Sequence, residues 1–340
     1  MRSSRASRAS RGRTWSVAVV AALAAVLAGA PGAAADEDGG FVIKDPRITE
    51  SSGLAASRAH PGVYWTHNDQ DGPYVYAVDG RTGETVARIT LRGVGKPRDM
   101  EAISVGPDGA VYVGDIGDNL GGKWDHVWIY RFPEPKVLKD QTVDAAQYDV
   151  KYADGARNAE ALMVHPTTGR AYIASKEESG AGLYEGPQKL TTGRTNVFRK
   201  IADVPWVTDG AFSPDGKRLV LRSYLGADVY DWKDGGRDLG EGSSLGIGYQ
   251  GQSESVTYTL DGKGLLFGAE GERSAVTRLE VDPSAPSSPD GSATPPPGRT
   301  GATPAPADGE GLSASGMAVL AVLGVALLAW ASLRGKRGGK

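Results

Sequence analysis

The chain has 340 residues, including 48 glycines and 20 prolines, and it contains no cysteine. This length accommodates one large domain or two modest ones, and so much glycine argues against a helical bundle. Without cysteine, the chain has no disulfide framework, thiolate zinc site, cysteine nucleophile or lipid-modified cysteine.

The small net charge of −3 hides an uneven distribution. Of the 38 basic residues, nine lie in two terminal tails without acids, which leaves 29 basic against 41 acidic residues between the tails, a net charge of −12. Such an acidic domain repels nucleic acid and anionic lipid headgroups, so we expect cations or basic groups as partners. The tail residues are Arg2, Arg5, Arg8, Arg11, Arg13, Arg334, Lys336, Arg337 and Lys340.

The first 35 residues have the order of a secretory signal. The arginine-rich start is followed by an apolar stretch over 15–30, and small residues precede Asp36. This pattern predicts cleavage after Ala35 and export of the protein. A retained membrane anchor is the alternative, against which Pro31 and Gly32 argue because they break a helix.

A second apolar stretch predicts a membrane anchor near the C-terminus. Residues 312–333 carry no charge and are followed by the basic segment 334–340. A helix of this length can cross a hydrocarbon core, and basic residues stay in the cytoplasm. A buried core helix is the alternative. Residues 283–311 are rich in Pro, Ser, Thr and Gly and predict an extended tether, so 36–282 is the expected extracellular domain.

The middle of the chain contains a fivefold repeat of short strands and Pro/Asp/Gly turns. Its spacing is typical of four-stranded propeller blades, and the strands are rich in β-branched and aromatic residues. We therefore predict a single all-β domain, a β-propeller, with five blades favoured and six as the alternative. An isolated strand at residues 41–43 would complete the last blade and close the ring. The repeats begin near Gly53, Ala102, Ala161, Gly210 and Ser255.

Acidic and hydroxyl side chains precede the first strand of each repeat. In a propeller, first strands start and second strands end on one face of the ring, which we call the mouth. Carboxylates that meet there repel one another, which raises their pKa values or requires a cation. Oxygen ligands outside the cell suit calcium, although such groups also commonly cap strand ends. The predicted metal ligands are Ser52, Glu101, Glu160, Asp209 and Glu254.

Further polar residues follow the second strands and are predicted to bind a small molecule or protein at the mouth. The loop from Asp115 to Asn119 either ligates a cation, binds a substrate hydroxyl or simply makes an Asx turn. Two cations of the set either neutralise the acids or hold a phosphate or carboxylate. The candidate ligand-binding residues are Asn68, Asp69, Asp115, Asp118, Asn119, Lys176 and Arg222.

Other motifs lack the context that would give them a function. Residues 246–251 match a dinucleotide fingerprint, but no βαβ pattern surrounds them, so we interpret them as a loop. The sequence contains neither a Walker loop nor a Gly-x-Ser-x-Gly elbow. Of the four histidines only His67 is expected at the mouth, which disfavours a zinc site.

Five motifs within residues 48–281 resemble a family of exported bacterial propeller proteins, found especially in actinobacteria and described as WD40-like or esterase-like. The resemblance implies a secreted β-propeller without an assigned reaction. The chain departs from the family pattern at Gln70 and Asp71 and at Met100. The motifs are Trp65-Thr66-His67-Asn68-Asp69, Asp99-Met100-Glu101-Ala102-Ile103, Gly114-Asp115-Ile116-Gly117-Asp118-Asn119, residues 154–162, and Gln252-Ser253-Glu254-Ser255-Val256.

The predicted metal ligands also resemble, more weakly, those of the calcium-activated nucleotidases, which are five-bladed propellers with Ser and Glu around a central calcium. Asp209 departs from that pattern, and no nucleotide-contact residues match. Two functions follow as hypotheses. The first is a monomeric, membrane-anchored binding module, and the alternative is a calcium-dependent phosphoester hydrolase with Glu101 or Asp115 as base. A purely structural mouth without a ligand is the third interpretation, and catalytic residues stay unassigned.

Overall fold

The computed structural model of the protein describes residues 39–247 and 250–283. The predicted signal peptide, most of the tether, the predicted span at 312–333 and the basic tail lie outside these residues, as do two residues of the 246–251 loop. Within the described part, no helix is both long and apolar enough to span a membrane. The described residues form β-strands with a single turn of 3-10 helix at Asp234–Gly236.

The strands follow the repeat that the sequence predicts, and they form sequential antiparallel groups. The first and second groups are β2 (Ser51–Ala56), β3 (Val63–Asn68), β4 (Tyr74–Asp79) and β5 (Thr85–Arg92), then β6 (Met100–Val105), β7 (Ala110–Asp115), β8 (Val127–Pro133), β9 (Gln141–Asp144) and β10 (Ala146–Tyr152). The third group is β11 (Ala159–Val164), β12 (Ala171–Ser175), β13 (Gly182–Glu185) and β14 (Asn196–Asp203). The fourth group is β15 (Asp209–Phe212), β16 (Arg218–Arg222), β17 (Ala227–Asp231) and β18 (Ser243–Ser244). The fifth and last group is β19 (Ser253–Tyr258), β20 (Gly264–Ala269), β21 (Ala275–Glu280) and the N-terminal β1 (Phe41–Val42).

The N-terminal strand completes the last sheet, as the sequence predicts. Phe41 pairs with Val276 and Val42 pairs with Ala275 in an antiparallel ladder, giving the strand order β1-β21-β20-β19. This pairing covers the outer edge of the last group with the start of the chain. The outer strand of this sheet is thereby only two residues long, and a short edge strand offers little for pairing with other molecules.

Two parallel pairings connect neighbouring groups at their outer edges. β14 pairs with β10, which joins the second and third groups into one eight-stranded sheet. β9, which follows β8 along the chain, does not pair within the second group but pairs with β5 of the first. β5 and β10 alternate mainly between buried and partly buried residues, as expected for strands that pack more tightly on one face.

The first strands of the groups contact one another in a closed order: β2 with β6, β6 with β11, β11 with β15, β15 with β19 and β19 with β2. Small residues allow this close approach. At Gly53, a Cβ atom would lie 3.0 Å from the backbone nitrogen of Ile103 on the neighbouring first strand. The protein is therefore all-β and β-propeller-like, with its first strands around a common axis.

The hydrophobic core is divided into clusters that lie between adjacent sheets. Between the first and second groups, the fully buried Trp65 packs edge-to-face on Phe132 with ring centroids 6.2 Å apart. A corresponding cluster between the last and first groups contains Leu266, Phe41 and Leu54. Each sheet is thus fixed by apolar packing on both faces, which holds the ends of the first strands rigidly at the mouth.

Candidate functional site

Four of the predicted metal ligands share one local structure, a β-bulge at the start of the first strand. In each group, the strand register skips one residue, and that residue is Ser52, Glu101, Glu160 or Glu254. A bulge turns a side chain away from the regular ladder and is frequent beside functional sites. The fourth group differs, because Asp209 pairs regularly with Arg222.

Three carboxylates come together on the side of the mouth between the first and second groups. Asp69, Asp99 and Glu101 are buried, and one oxygen from each lies within 4.8 Å of the others. The backbone draws them together, because the Met100 nitrogen donates a hydrogen bond of 2.9 Å to the Asp69 carbonyl oxygen. We call these three residues the acidic cluster.

The loop after β7 packs its backbone directly against the acidic cluster. A Cβ atom on Gly117 would lie 2.6 Å from Asp99 Oδ2 and 2.8 Å from Glu101 Cγ. Such distances are too short for a side chain, so glycine is required for this approach. The carboxylates are therefore enclosed by backbone and held close together.

The position of Glu101 explains its protonation behaviour. Burial raises the pKa of Glu101 well above its usual value, and the charges of Glu160 and Asp99 add to the rise, while Lys176 opposes it. Like charges close together in a poorly solvated site favour the neutral acid. A bound cation would favour the ionised form instead.

The mouth also contains a cation. The Lys176 ammonium lies 2.5 Å from Glu160 Oε2 and donates a hydrogen bond of 2.8 Å to the Tyr224 hydroxyl oxygen. Burial opposes the charge on Lys176, but Glu160 and Glu254 outweigh it and raise the pKa of Lys176. Burial also raises the pKa of Glu254. This lysine therefore acts as a counter-ion for two of the predicted metal ligands.

Arg222 is enclosed between the fourth and fifth groups rather than open to solvent. It is 1 % exposed, and its Nη1 donates to the carbonyl oxygens of Ser255 and Gly268. Asp209 Oδ2 accepts a hydrogen bond of 2.8 Å from the Val256 nitrogen, and burial raises the pKa of Asp209 well above its usual value. Both side chains tie neighbouring sheets together at the mouth.

One candidate ligand-binding residue, Asn68, and one predicted metal ligand, Ser52, make hydrogen bonds to backbone. Asn68 accepts from the nitrogens of Thr49 and Glu50 and donates to the Arg47 carbonyl, so it holds the segment that leads into β2. Ser52 donates to the Glu50 carbonyl at 3.1 Å. Their roles as ligands stay predictions.

Asp115 fixes the start of β6. Its carboxylate is fully buried and accepts hydrogen bonds from the backbone nitrogens of Arg98 and Asp99 and from the Tyr130 hydroxyl. This arrangement occupies the carboxylate oxygens with protein donors. Asp115 therefore positions the Asp99 backbone, and its role as a ligand-binding residue stays a prediction.

The rest of the 115–119 loop bridges the second and third groups. Asn119 Nδ2 donates to Asp99 Oδ2 at 3.2 Å, and Asn158 Nδ2 donates to Asn119 Oδ1 at 3.2 Å. The Asp118 nitrogen donates to Asn158 Oδ1 at 2.8 Å. The loop thus connects the acidic cluster to the edge of the next sheet.

Two residues at the mouth fall outside the predicted ligand sets. Asp99 belongs to the acidic cluster. The sequence gives one indication of this, because Asp99 and Glu101 lie on either side of Met100 at the start of the second repeat. Tyr224 contacts Lys176 and packs edge-to-face on the partly exposed Trp206, with centroids 5.4 Å apart.

His67 is fully buried, and burial lowers the pKa of His67 to about 4, so it is neutral at physiological pH.

No family model matches the chain, and no curated protein matches it. Among solved structures, it is similar to a gluconolactonase of Xanthomonas campestris, with 15 % identity over 70 % of this chain and 89 % of the other and a TM-score of 0.43. It is also similar to an auxiliary nutrient binding protein of Bacteroides thetaiotaomicron, with 11 % identity over 68 % and 57 % of the two chains and a TM-score of 0.40. Hydrazine synthase of Kuenenia stuttgartiensis gives 15 % identity, 68 % and 64 % coverage and a TM-score of 0.38. The matched part spans less than two thirds of the last two chains, and the similarity concerns the fold alone.

Proposed function

We propose that this protein is a membrane-anchored, extracellular β-propeller that binds a ligand or protein at its mouth with the help of a calcium ion. The observation that carries the proposal is the acidic cluster, in which three buried carboxylates from two sheets place an oxygen within 4.8 Å of one another. Hard oxygen donors of this kind suit calcium. A bound calcium ion would provide a fixed charge that orients anionic groups of a ligand.

Five blades, closed by the N-terminal strand, are part of this proposal. The support is that each of the five first strands contacts the next around the ring, and that β1 supplies the outer strand of the last group. A sixth blade would need a further first strand between two that are already in contact. The five apolar clusters, each lying between neighbouring groups, support the same number.

The position of Lys176 favours one place for the calcium ion. Its ammonium is already a counter-ion for Glu160 and Glu254, whereas Asp69, Asp99 and Glu101 place one oxygen each within 4.8 Å of one another. We therefore propose Asp69, Asp99 and Glu101 as the ligands of the ion. The other predicted metal ligands would then be neighbouring residues of the mouth and not ligands: Ser52, Glu160, Asp209 and Glu254. This placement keeps Glu101 from the metal ligands that the sequence predicts and adds Asp69 and Asp99.

Thermal unfolding of the full chain in a mild detergent, with calcium and with EDTA, tests the calcium site. We expect excess calcium to raise the Tm by about 5 °C, the effect of ligand well above its dissociation constant on a domain of this size. Glu101→Gln and Asp99→Asn should abolish the rise. The control Asp203→Asn removes a carboxylate whose side chain is 90 % exposed and should keep it. No shift in the unmodified protein would disprove the calcium site.

A calcium-dependent phosphoester hydrolase is the second candidate, and one observation favours it. Glu101 has a carboxylate oxygen within 4.8 Å of one from Asp69 and one from Asp99, so it would lie next to an ion held by those two residues, where a general base is needed. Asp115 is the weaker candidate for base because its oxygens accept three sets of protein hydrogen bonds. Turnover of a nitrophenyl phosphoester panel in calcium would establish this activity. Stabilisation by calcium without turnover of any phosphoester would favour the binding module over the hydrolase.

The cellular location is part of the proposal and rests on the sequence. Export by residues 1–35 and anchoring by residues 312–333 place the β-propeller outside the membrane with a cytoplasmic basic tail. Protease added to intact cells that carry the full chain should remove the propeller and spare an epitope placed after Lys340. Protection of the propeller would contradict this topology.

The predicted oligomeric state is a monomer, and light scattering of the same protein measures it.

A further inference from the structure

A cleft of about 480 Å³ opens beside the second group at the same end of the strands as the mouth. Its floor is the Val127–Val150 pair, the last pair of the ladder between β8 and β10, and the adjacent Trp128 pairs with Asp115 at the mouth end. Residues from 123–126 line one wall, and residues from 151–156 line the other. A volume of this size lies in the range of small-molecule sites.

Trp124 gives the cleft an aromatic wall that is held rigidly. The Arg98 guanidinium lies 4.0 Å from the Trp124 ring centroid and 3.7 Å from that of Trp128, so it is stacked between two indole rings. The Trp124 backbone nitrogen donates a hydrogen bond of 2.6 Å to Oδ2 of the buried Asp118. Arg98 Nη2 also donates to the His126 carbonyl oxygen at 2.8 Å. A ring that is already fixed loses little entropy when a ligand packs on it.

The second wall consists mainly of small residues. Ala153 and Ala156 are exposed residues of the lining, and Gly155 between them adds no side chain. Tyr152 belongs to the same wall but is only 8 % exposed, and its hydroxyl is buried, so a ligand in the cleft does not reach this hydroxyl. Small side chains that share a cleft with an indole ring leave room for a flat apolar group.

The rim of the cleft carries more positive than negative charge. Asp125 is shared between two partners, because its carboxylate lies 3.3 Å from the Lys151 ammonium and 2.6 Å from His126 Nδ1. Lys123 is a second, exposed lysine of the lining. One carboxylate set against two lysines leaves a single positive charge, which favours a ligand with one negative charge.

Negative charge outside the lining does not cancel this preference. Asp154 lies in the second wall segment, but its carboxylate pairs with the Arg157 guanidinium at 2.9 Å and accepts a hydrogen bond from the Tyr184 hydroxyl. Exposed charges more than about 10 Å away are largely screened at physiological ionic strength, so distant acidic residues of the domain have little effect here. The two lysines therefore determine the charge that the cleft prefers.

We propose that this cleft binds a small aromatic carboxylate. The ring of the ligand packs between Trp124 and the two alanines, Ala153 and Ala156, and its carboxylate lies near the ammonium groups of Lys151 and Lys123. The cleft shares no residue with the acidic cluster. The site is therefore separate from the proposed calcium site and does not depend on calcium.

Ligand-observed NMR with benzoate, its neutral counterpart benzamide, and acetate tests the proposal on the full chain. EDTA is present throughout, so failure of the calcium site cannot affect the result, and protein-free detergent micelles give the reference signal. We expect benzoate to bind at least about fivefold more tightly than benzamide, which lacks the charge, and than acetate, which lacks the ring. Equal binding of benzoate and benzamide, or no binding of benzoate, would overturn the proposal.

Two variants that fill the cleft locate the ligand. Ala153→Phe and Ala156→Phe each add a ring to the second wall and should weaken benzoate binding at least about fivefold. Both alanines are exposed, so the Tm should stay the same. Ala59→Phe is the matched control, because Ala59 is also exposed but lies in the turn between β2 and β3, and it should leave binding unchanged. Unchanged benzoate binding in both cleft variants would disprove this site.

Two lysine variants test the charge. Lys151→Gln and Lys123→Gln should each weaken benzoate binding and leave benzamide binding unchanged, and the double variant should reduce benzoate to the level of benzamide. Lys217→Gln, at a lysine that is 81 % exposed in a turn between β15 and β16, should change nothing. Full benzoate binding in the double variant would show that these lysines do not select the ligand, which would overturn the proposal.

Discussion

The Lys176 ammonium lies 2.5 Å from Glu160 Oε2, and both side chains are almost fully buried at the mouth. The same lysine also opposes the rise in the pKa of Glu101, which belongs to the acidic cluster with Asp69 and Asp99. A buried ion pair contributes little net stability, but removing one partner leaves an uncompensated charge.

Lys176→Met should therefore destabilise the protein by about 3 kcal/mol near pH 8. The loss should be smaller near pH 5. The pKa values of Glu160 and Glu254 are raised by burial, so these groups are protonated in the folded state at low pH, and stability falls as the pH rises through their folded pKa values. Urea unfolding at both pH values measures this. Lys217→Met is the control, and an equal loss at both pH values would contradict the assignment.

Calcium stabilisation should depend on pH. Burial and neighbouring charges raise the pKa of Glu101, so at low pH a calcium ion must displace a proton from this residue. The rise in Tm with calcium should therefore grow from pH 5 to pH 8. Thermal unfolding at a series of pH values, with calcium or EDTA, measures it. A shift of the same size at pH 5 and pH 8 would show that calcium binds at groups other than Glu101.

Gly117→Ala tests the enclosure of the acidic cluster. The added Cβ would meet Asp99 Oδ2 at 2.6 Å, so we expect a loss of about 1–3 kcal/mol of stability together with loss of the calcium shift. Gly226→Ala is the matched control, because a Cβ atom there meets nothing within 4 Å. Unfolding measurements on both variants decide the matter. Equal behaviour of the two variants would contradict the close packing of Gly117.

Much of the fold is encoded locally and is therefore visible in the sequence. Turn residues such as Pro107, Asp108 and Gly109 mark hairpins by their own conformational preferences, and short apolar runs recur between them. The lone apolar stretch at Phe41 predicts a strand without a partner nearby, and the structure pairs it with Val276. Regular repetition makes this long-range contact predictable.

The arrangement within the mouth depends on contacts that the sequence does not display. Glu101 and Glu160 occupy equivalent bulges, yet one faces Asp69 and Asp99 while the other pairs with Lys176. The difference arises because the preceding group supplies Asp69 beside Glu101, whereas Lys176, which directly follows β12 in the same group as Glu160, lies beside Glu160. Likewise, Arg222 follows a second strand as predicted, but packing between two sheets directs it to backbone carbonyls.

Asp115→Asn separates a positioning role from a ligand-binding role. The Asp115 carboxylate accepts hydrogen bonds from the Asp99 nitrogen at 2.8 Å and from the Tyr130 hydroxyl at 2.5 Å. An amide replaces one acceptor oxygen with a donor, so a buried group is left unsatisfied. We expect a loss of about 2–4 kcal/mol in EDTA as well as in calcium.

Tyr130→Phe removes only one of these hydrogen bonds and should cost about 1 kcal/mol, with the calcium shift retained. Asp115→Asn should also weaken the calcium shift, because the Asp99 backbone that it holds carries a proposed ligand. Urea unfolding of both variants, with calcium and with EDTA, measures both effects. If Asp115→Asn keeps full stability in EDTA but loses the calcium shift, then Asp115 binds the ion directly, and the hydrogen bonds to Asp99 and Tyr130 contribute little.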